Sequence, residues 1–125
     1  IIVAAHFYDI YESLHATQIA MKHQPTQCEL IDKIILDCTK ENIKQRKNRW
    51  FLEGDPEGLL MIEFREDTLD GAIEKADKMI ADLKSKGMGY AFPIILPDKT
   101  KRIRELRKAG LGLLANIPGD KKAVA

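Results

Sequence analysis

The sequence predicts an α+β domain: a four-stranded, mainly antiparallel sheet with helices packed on one face, a split βαβ sandwich. Three observations lead there. Short runs rich in apolar residues, bounded by turn signals, recur at 1–7, 28–31, 59–64 and 90–92. Leu69, Ala72, Ile73, Ala76, Met79, Ile80 and Leu83 follow one another at helical steps and make a continuous apolar stripe. Strand and helix patterns alternate along the 125 residues, which favours crossover units over separate layers of strands and helices.

The elements follow in order. Residues 1–7 are apolar, with Val3 among the β-branched residues of a buried strand. Asp9 stands at an N-cap position and Glu12 three residues on completes a capping-box spacing. Ile10, Leu14, Thr17 and Met21 then recur at helical intervals over 10–22, and Pro25 closes that helix. Cys28-Glu29-Leu30-Ile31 reads as a second strand, and Asp32 caps a short helix with Ile34, Ile35 and Cys38 on its inner side. The basic stretch 40–49 belongs on the surface. Glu53-Gly54-Asp55-Pro56-Glu57-Gly58 is a loop, because one proline and two glycines within six residues interrupt regular structure. Residues 59–64 form the clearest strand. The long stripe follows, with Glu74 four residues before Lys78 and Asp82 four before Lys86 on its outer face. Gly87 and Gly89 stop it, Tyr90-Ala91-Phe92 opens a fourth strand, and Pro93 puts that strand at an edge. A basic helix over 98–109 comes last, ahead of a glycine-containing tail.

Composition narrows the function classes. Hydrophobic residues are 45% and charged residues 31%, a balance that fits neither a disordered tail nor a membrane protein. No apolar run approaches the ~20 residues of a membrane helix. Twenty basic against 19 acidic residues leave a net charge of +1, so no global field draws nucleic acid or anionic lipid. Cys28 and Cys38 are too few for a disulfide framework and suit a reducing cytoplasm. The chain opens on Ile1-Ile2-Val3 with no initiator Met and ends at Val124-Ala125, both inside apolar stretches, and it reads as one domain cut from a longer protein.

Few motifs carry chemistry. Gly110-Leu111-Gly112-Leu113-Leu114-Ala115 matches the dinucleotide pattern G-x-G-x-x-[GA] in form only. That pattern works when a strand precedes it and a helix N-terminus follows, and here a charged helix precedes it. His6, His15 and His23 lack the spacing of a metal pair, the cysteines form no C-x-x-C hook, and no nucleophile elbow is present. Glu63 and Glu66 flank Arg65 and read as surface ion pairing. The local charge is more informative. Between residues 98 and 122 eight bases face three acids, a net of +5. Arg107, at the end of the basic helix beside a glycine-rich bend, can offer its planar guanidinium to a carboxylate through two parallel hydrogen bonds.

At Leu106-Arg107-Lys108-Ala109-Gly110-Leu111-Gly112-Leu113-Leu114, followed by Pro118-Gly119-Asp120-Lys121-Lys122, the sequence resembles the FAD-linked oxidases and dehydrogenases of D-2-hydroxy acids. These are the glycolate oxidase and D-lactate dehydrogenase group of the vanillyl-alcohol oxidase superfamily. Cys28-Glu29-Leu30-Ile31-Asp32 is similar to that family's A-V-E-L-M-D strand. Phe51-Leu52-Glu53-Gly54-Asp55 and Leu60-Met61-Ile62-Glu63-Phe64 are similar to its next loop and strand. The likeness runs in order over nearly the whole chain. It implies a ferredoxin-like C-terminal cap that covers a flavin bound mainly by another domain of the same polypeptide, a domain this chain lacks. The long anaerobic-type members, to which the tail is most similar, also carry iron–sulfur modules elsewhere.

The resemblance further implies that Arg107 engages the carboxylate of a small 2-hydroxy-acid substrate such as D-lactate, glycolate or D-2-hydroxyglutarate. Lys122 corresponds to a second carboxylate contact, with Lys121 as its near alternative. Many members have an aromatic residue a turn before the arginine, where this chain has Ile103. The implied reaction passes the α-hydrogen to FAD as hydride, so this chain contributes orientation and no redox group. It implies no catalytic residue, no metal ligand and no nucleic-acid partner within the chain, no membrane-spanning segment, and a cytoplasmic location, extending to the inner face of the membrane as a peripheral protein. The competing expectation is a free-standing ferredoxin-like module that binds a small molecule, or RNA through Phe64, Tyr90 and Phe92 on an open sheet.

Overall fold

The computed structural model describes residues 1–40 and 49–115. Within them the chain runs β1 (Ile2–Phe7), α1 (Ile10–Met21), β2 (Gln27–Asp32), α2 (Lys33–Lys40), β3 (Gly58–Glu63), α3 (Leu69–Ser85), β4 (Ile94–Ile95) and α4 (Pro97–Ala115). The four strands lie in the order β2-β3-β1-β4, and every neighbouring pair is antiparallel. Two βαβ units interleave, β1-α1-β2 and β3-α3-β4, each with a strand of the other inserted between its own two. The predicted split βαβ sandwich is therefore present. The long helices α1 and α3 share one face, as expected, and α2 and α4 cover the other.

That second cover decides where the core sits. On the first face Val3, Ala5, Phe7, Leu60, Ile62 and Phe64 meet Ala16, Ile19 and Ala20 of α1 and Ala72, Ala76, Met79 and Leu83 of α3. On the second, Ile2, Ala4, Leu59 and Met61 meet Leu36 of α2, Phe51, and Ile103 and Leu106 of α4. Every residue of β1 and β3 is buried. Each large side chain so enclosed contributes about 1.5–3 kcal/mol by leaving water.

The helix ends follow their side chains. Asp9 accepts from the Tyr11 amide at 2.8 Å and starts α1. Thr68 accepts from the Gly71 amide at 3.0 Å and starts α3. Gly87 takes a φ of +68°, so that Met88 N–H reaches the Leu83 carbonyl and Gly87 N–H the Lys84 carbonyl. Glu74 pairs with Lys78 at 3.3 Å, and Asp82 pairs with Lys86, as the spacing predicts.

Several local expectations are corrected. Leu14 and Met21 are more than half exposed, and the inner face of α1 is Ser13, Ala16, Ile19 and Ala20. Small residues let α1 approach β3 closely. Glu12 does not close a capping box; its Oε1 accepts from the Gly89 amide at 2.7 Å and ties α1 to the turn after α3. In α2 it is Leu36 that is buried, while Ile34 is 59% exposed; Asp32 does cap the helix, accepting from the Ile35 amide at 3.1 Å. The fourth strand is Ile94–Ile95, with Ala91 contributing an isolated bridge to His6, because Pro93 interrupts the ladder between them. It does lie at the edge. Most of the basic stretch 40–49 and the side chain of Cys38 are outside the described residues.

His6, fully buried, closes one end of the second face. Its Nδ1–H donates to the Ala4 carbonyl at 2.8 Å, and Nε2 accepts from the Glu53 amide at 3.2 Å, an arrangement that requires the neutral ring. Phe51 and Tyr90 meet it edge-on, and the Tyr90 hydroxyl donates to the Glu53 carbonyl at 2.6 Å. Burial lowers the His6 pKa; the hydrogen bonds to Ala4 and Ala91 and the charge of Glu53 oppose that shift without reversing it.

Two outcomes are expected. A Cβ at Gly58 would stand 2.7 Å from Ser13 Oγ and 3.0 Å from Ser13 Cβ. Gly58→Ala should therefore cost about 1–3 kcal/mol in urea unfolding, from overpacking of α1 on β3. Because His6 is harder to protonate folded than unfolded, its contribution to stability is complete above the ordinary histidine pKa of ~6.5 and is lost as pH falls below it. Unfolding free energy should decline from pH 7 to pH 5, and His6→Asn should flatten that slope.

Candidate functional site

The sequence directs attention to the basic helix, and α4 extends further than the sequence suggests. It runs from Pro97 through Ala115, so Arg107 lies inside the helix and Gly110 and Gly112 form no bend. Their amides belong to the helical ladder, not to a turn that could cradle a pyrophosphate. The dinucleotide pattern is thus a coincidence of spacing, as its setting predicted.

One face of α4 rests on the sheet, where Ile103 and Leu106 are 2% and 3% exposed. Ile103, one turn before Arg107, is part of the core packing. One position further round, Arg104 and Lys108 line a cavity of about 230 Å³. The strands supply its floor: Ile2 from β1, Gln27 and Glu29 from β2, and Met61 and Glu63 from β3, with Arg65 at the rim. The strand register builds this directly, since Ile2, Glu63 and Gln27 stand side by side across three strands.

Glu63 is the centre of that arrangement. It is 6% exposed, the only buried carboxylate among the described residues. Its Oε1 accepts from Arg104 Nη2 at 2.8 Å and from Arg65 Nε at 3.0 Å. The reading of Glu63 as a surface ion pair is therefore corrected: the pairing exists, but the acid is inside. Glu66, by contrast, pairs with Lys75 at 2.6 Å, half exposed. The sequence holds one partial signal for Glu63. It falls in phase with Leu59 and Met61, on a face those residues mark as apolar.

Arg107 shares α4 with Arg104 and Lys108, three residues after one and directly before the other. Its side chain is outside the described residues, and so are Lys121 and Lys122 in full. Among the described residues no cluster of three or more His, Cys, Asp or Glu could hold a metal ion. No described helix is long and apolar enough to cross a membrane. Cys28 is a free thiol whose pKa is pushed up to about 11 by burial and by Glu29. Among the described residues both faces of the sheet are covered and Phe64 is 1% exposed, so they offer no open sheet of the kind an RNA reader needs.

Over residues 1–125 the sequence matches the family described as FAD linked oxidases, C-terminal domain. The chain belongs to that family. No curated protein matches it significantly. Membership makes the parent an FAD-linked oxidoreductase, with FAD as its cofactor and an FAD-binding domain as the partner of this one.

The buried acid makes a test of what holds the site together. Glu63→Ala should cost roughly 1–3 kcal/mol, since two charge-assisted hydrogen bonds are lost while both guanidiniums can turn to water. The pair Glu63→Met with Arg104→Met should recover most of that loss, because buried ion pairs replaced by apolar groups of similar size are often near neutral. Denaturant midpoints of the three proteins check both expectations.

Proposed function

We propose that this domain is the substrate cap of an FAD-dependent dehydrogenase or oxidase that converts a D-2-hydroxy acid, such as D-lactate, glycolate or D-2-hydroxyglutarate, to the 2-oxo acid. The observation that carries this reading is the basic helix of an FAD-linked oxidase domain laid over a cavity, with Arg104 and Lys108 at its rim and Arg107 between them in sequence. A carboxylate has two coplanar oxygens, and a guanidinium answers them with two parallel donors. Arg107 is the anchor for the substrate carboxylate, and Lys122, or Lys121 beside it, is the second cation. The redox chemistry belongs to the FAD held by the partner domain. This domain's share is to fix the acid's orientation, which lowers a barrier by several kcal/mol when the reacting atoms are held close and aligned. On this reading residues 1–125 are one domain of a longer cytoplasmic flavoprotein, which also fits a peripheral place at the inner face of the membrane, and any iron–sulfur module lies elsewhere in the parent.

The complete flavoprotein should show a flavin absorbance band that D-lactate or D-2-hydroxyglutarate bleaches. Arg107→Ala should raise KM and lower kcat together, for a combined loss of roughly 10²-fold in kcat/KM. A full-length protein without a flavin band, or an Arg107→Ala enzyme with the kcat/KM of the wild type, would overturn the assignment.

A further inference from the structure

The geometry points to Glu63 as a positioning residue, one that sets the azimuth of α4 and keeps Arg104 and Arg65 from competing with Arg107 for the substrate's carboxylate. The inference rests on the proposed role of Arg107 and extends it to a residue that touches no substrate.

Three observations support it. First, Glu63 is a buried charge in a wall it shares with Ile2, Met61 and Ile103, and a buried ion pair gains little net free energy over apolar side chains of similar size. Second, its partners come from two different segments, Arg65 just after β3 and Arg104 on α4, and both meet the single oxygen Oε1. Ile103 and Leu106 against the sheet, and α2 alongside, hold α4 through non-directional apolar contacts. The hydrogen bond of 2.8 Å from Arg104 to a strand adds a directional one, which a rotation of the helix would stretch. Third, positions 104, 107 and 108 are neighbours on a helix surface, so any rotation that moves Arg104 off Glu63 moves the backbone of Arg107 with it.

The charge argument is separate. Arg65, Arg104 and Lys108 bring three positive charges to the cavity, against Glu63 and Glu29. With Glu63 ionised, one guanidinium N–H on each arginine is committed and the pair is partly neutralised. Without it, both guanidiniums are released at the open side of the cavity, where a small carboxylate has a second, unproductive place to bind.

The test uses the complete flavoprotein. Glu63→Gln should lower kcat/KM for the hydroxy acid roughly 10- to 100-fold, the size of effect expected from a small displacement of a positioning group. It should also make the enzyme sensitive to acetate as a competitive inhibitor at concentrations the wild type tolerates. Glu63→Asp keeps the charge and should retain acetate resistance while recovering only part of kcat/KM. Gly58→Ala is the control for stability: it should lower the unfolding midpoint without conferring acetate inhibition. If Glu63→Gln does not fold, the volume-conserving pair Glu63→Met with Arg104→Met carries the test, and lost turnover at an unchanged midpoint supports the proposal. Wild-type kcat/KM and wild-type acetate response in Glu63→Gln, or in that pair, overturn it. If the wild type turns over no 2-hydroxy acid, or Arg107→Ala is silent, the underlying reading falls as well; a normal Arg107 dependence with a silent Glu63→Gln removes only this inference.

Discussion

A sheet covered on both faces leaves its central strands no polar side. Every position of β1 and β3 is out of water, so each side chain there must be apolar or have its hydrogen-bonding groups satisfied inside the protein. Two residues of those strands meet the second condition. His6 does so as a neutral ring between a backbone carbonyl and a backbone amide. Glu63 does so as an acceptor for two guanidiniums. β1 and β3 run antiparallel, so the two residues stand at opposite ends of the same face. At one end His6 fastens the loop through Glu53, and at the other Glu63 fastens α4. The polar interactions within this core therefore place the segments that are not strands.

The consequence for α4 is a division of labour along its surface. Ile103 and Leu106 supply the apolar contact and set how far the helix stands from the sheet. Arg104 supplies the directional contact, and with it the rotation. Apolar packing is non-directional, and a guanidinium–carboxylate hydrogen bond has a narrow range of distance and angle. On the proposed reading, in which α4 presents Arg107, the helix benefits from both kinds of contact, and the buried acid is the part that apolar packing could not supply.

The sequence makes most of this fold legible and much less of the site. The stripe from Leu69 to Leu83 marks α3 because its apolar residues recur with the helical period, and all but Leu69 and Ile73 are buried. The face of α1 was misjudged because Leu14 and Met21 outweigh Ser13 and Ala16 by hydrophobicity, while close approach to Gly58 rewards small size. The end of α4 was misjudged because glycine is a common helix stop, and nothing local shows that Gly110 and Gly112 continue one. Glu63 was misjudged because a Glu-x-Arg spacing at a strand end ordinarily lies in water. Whether it does depends on the cover of the second face, which α4 brings from forty residues away. Burial by a distant element is the kind of fact that local pattern cannot carry.

The glycines of α4 give the Glu63 contact a further weight. Glycine inside a helix is less favourable than alanine by about 0.5–1 kcal/mol, since it gives up more backbone freedom and adds no side-chain contact. α4 contains two, at Gly110 and Gly112, both after Leu106, the last of its residues described as buried. The helix is tied to the core at Ile103 and Leu106 and has lower intrinsic helix propensity from Gly110 onward. Arg107 stands between those two stretches, one residue past the last core anchor and three before the first glycine. On its N-terminal side Arg104 makes a directional bond from α4 to a strand. The buried carboxylate at the end of β3 is accordingly the polar reference for the turn of α4 that leads to position 107, beside the apolar one that Ile103 and Leu106 supply.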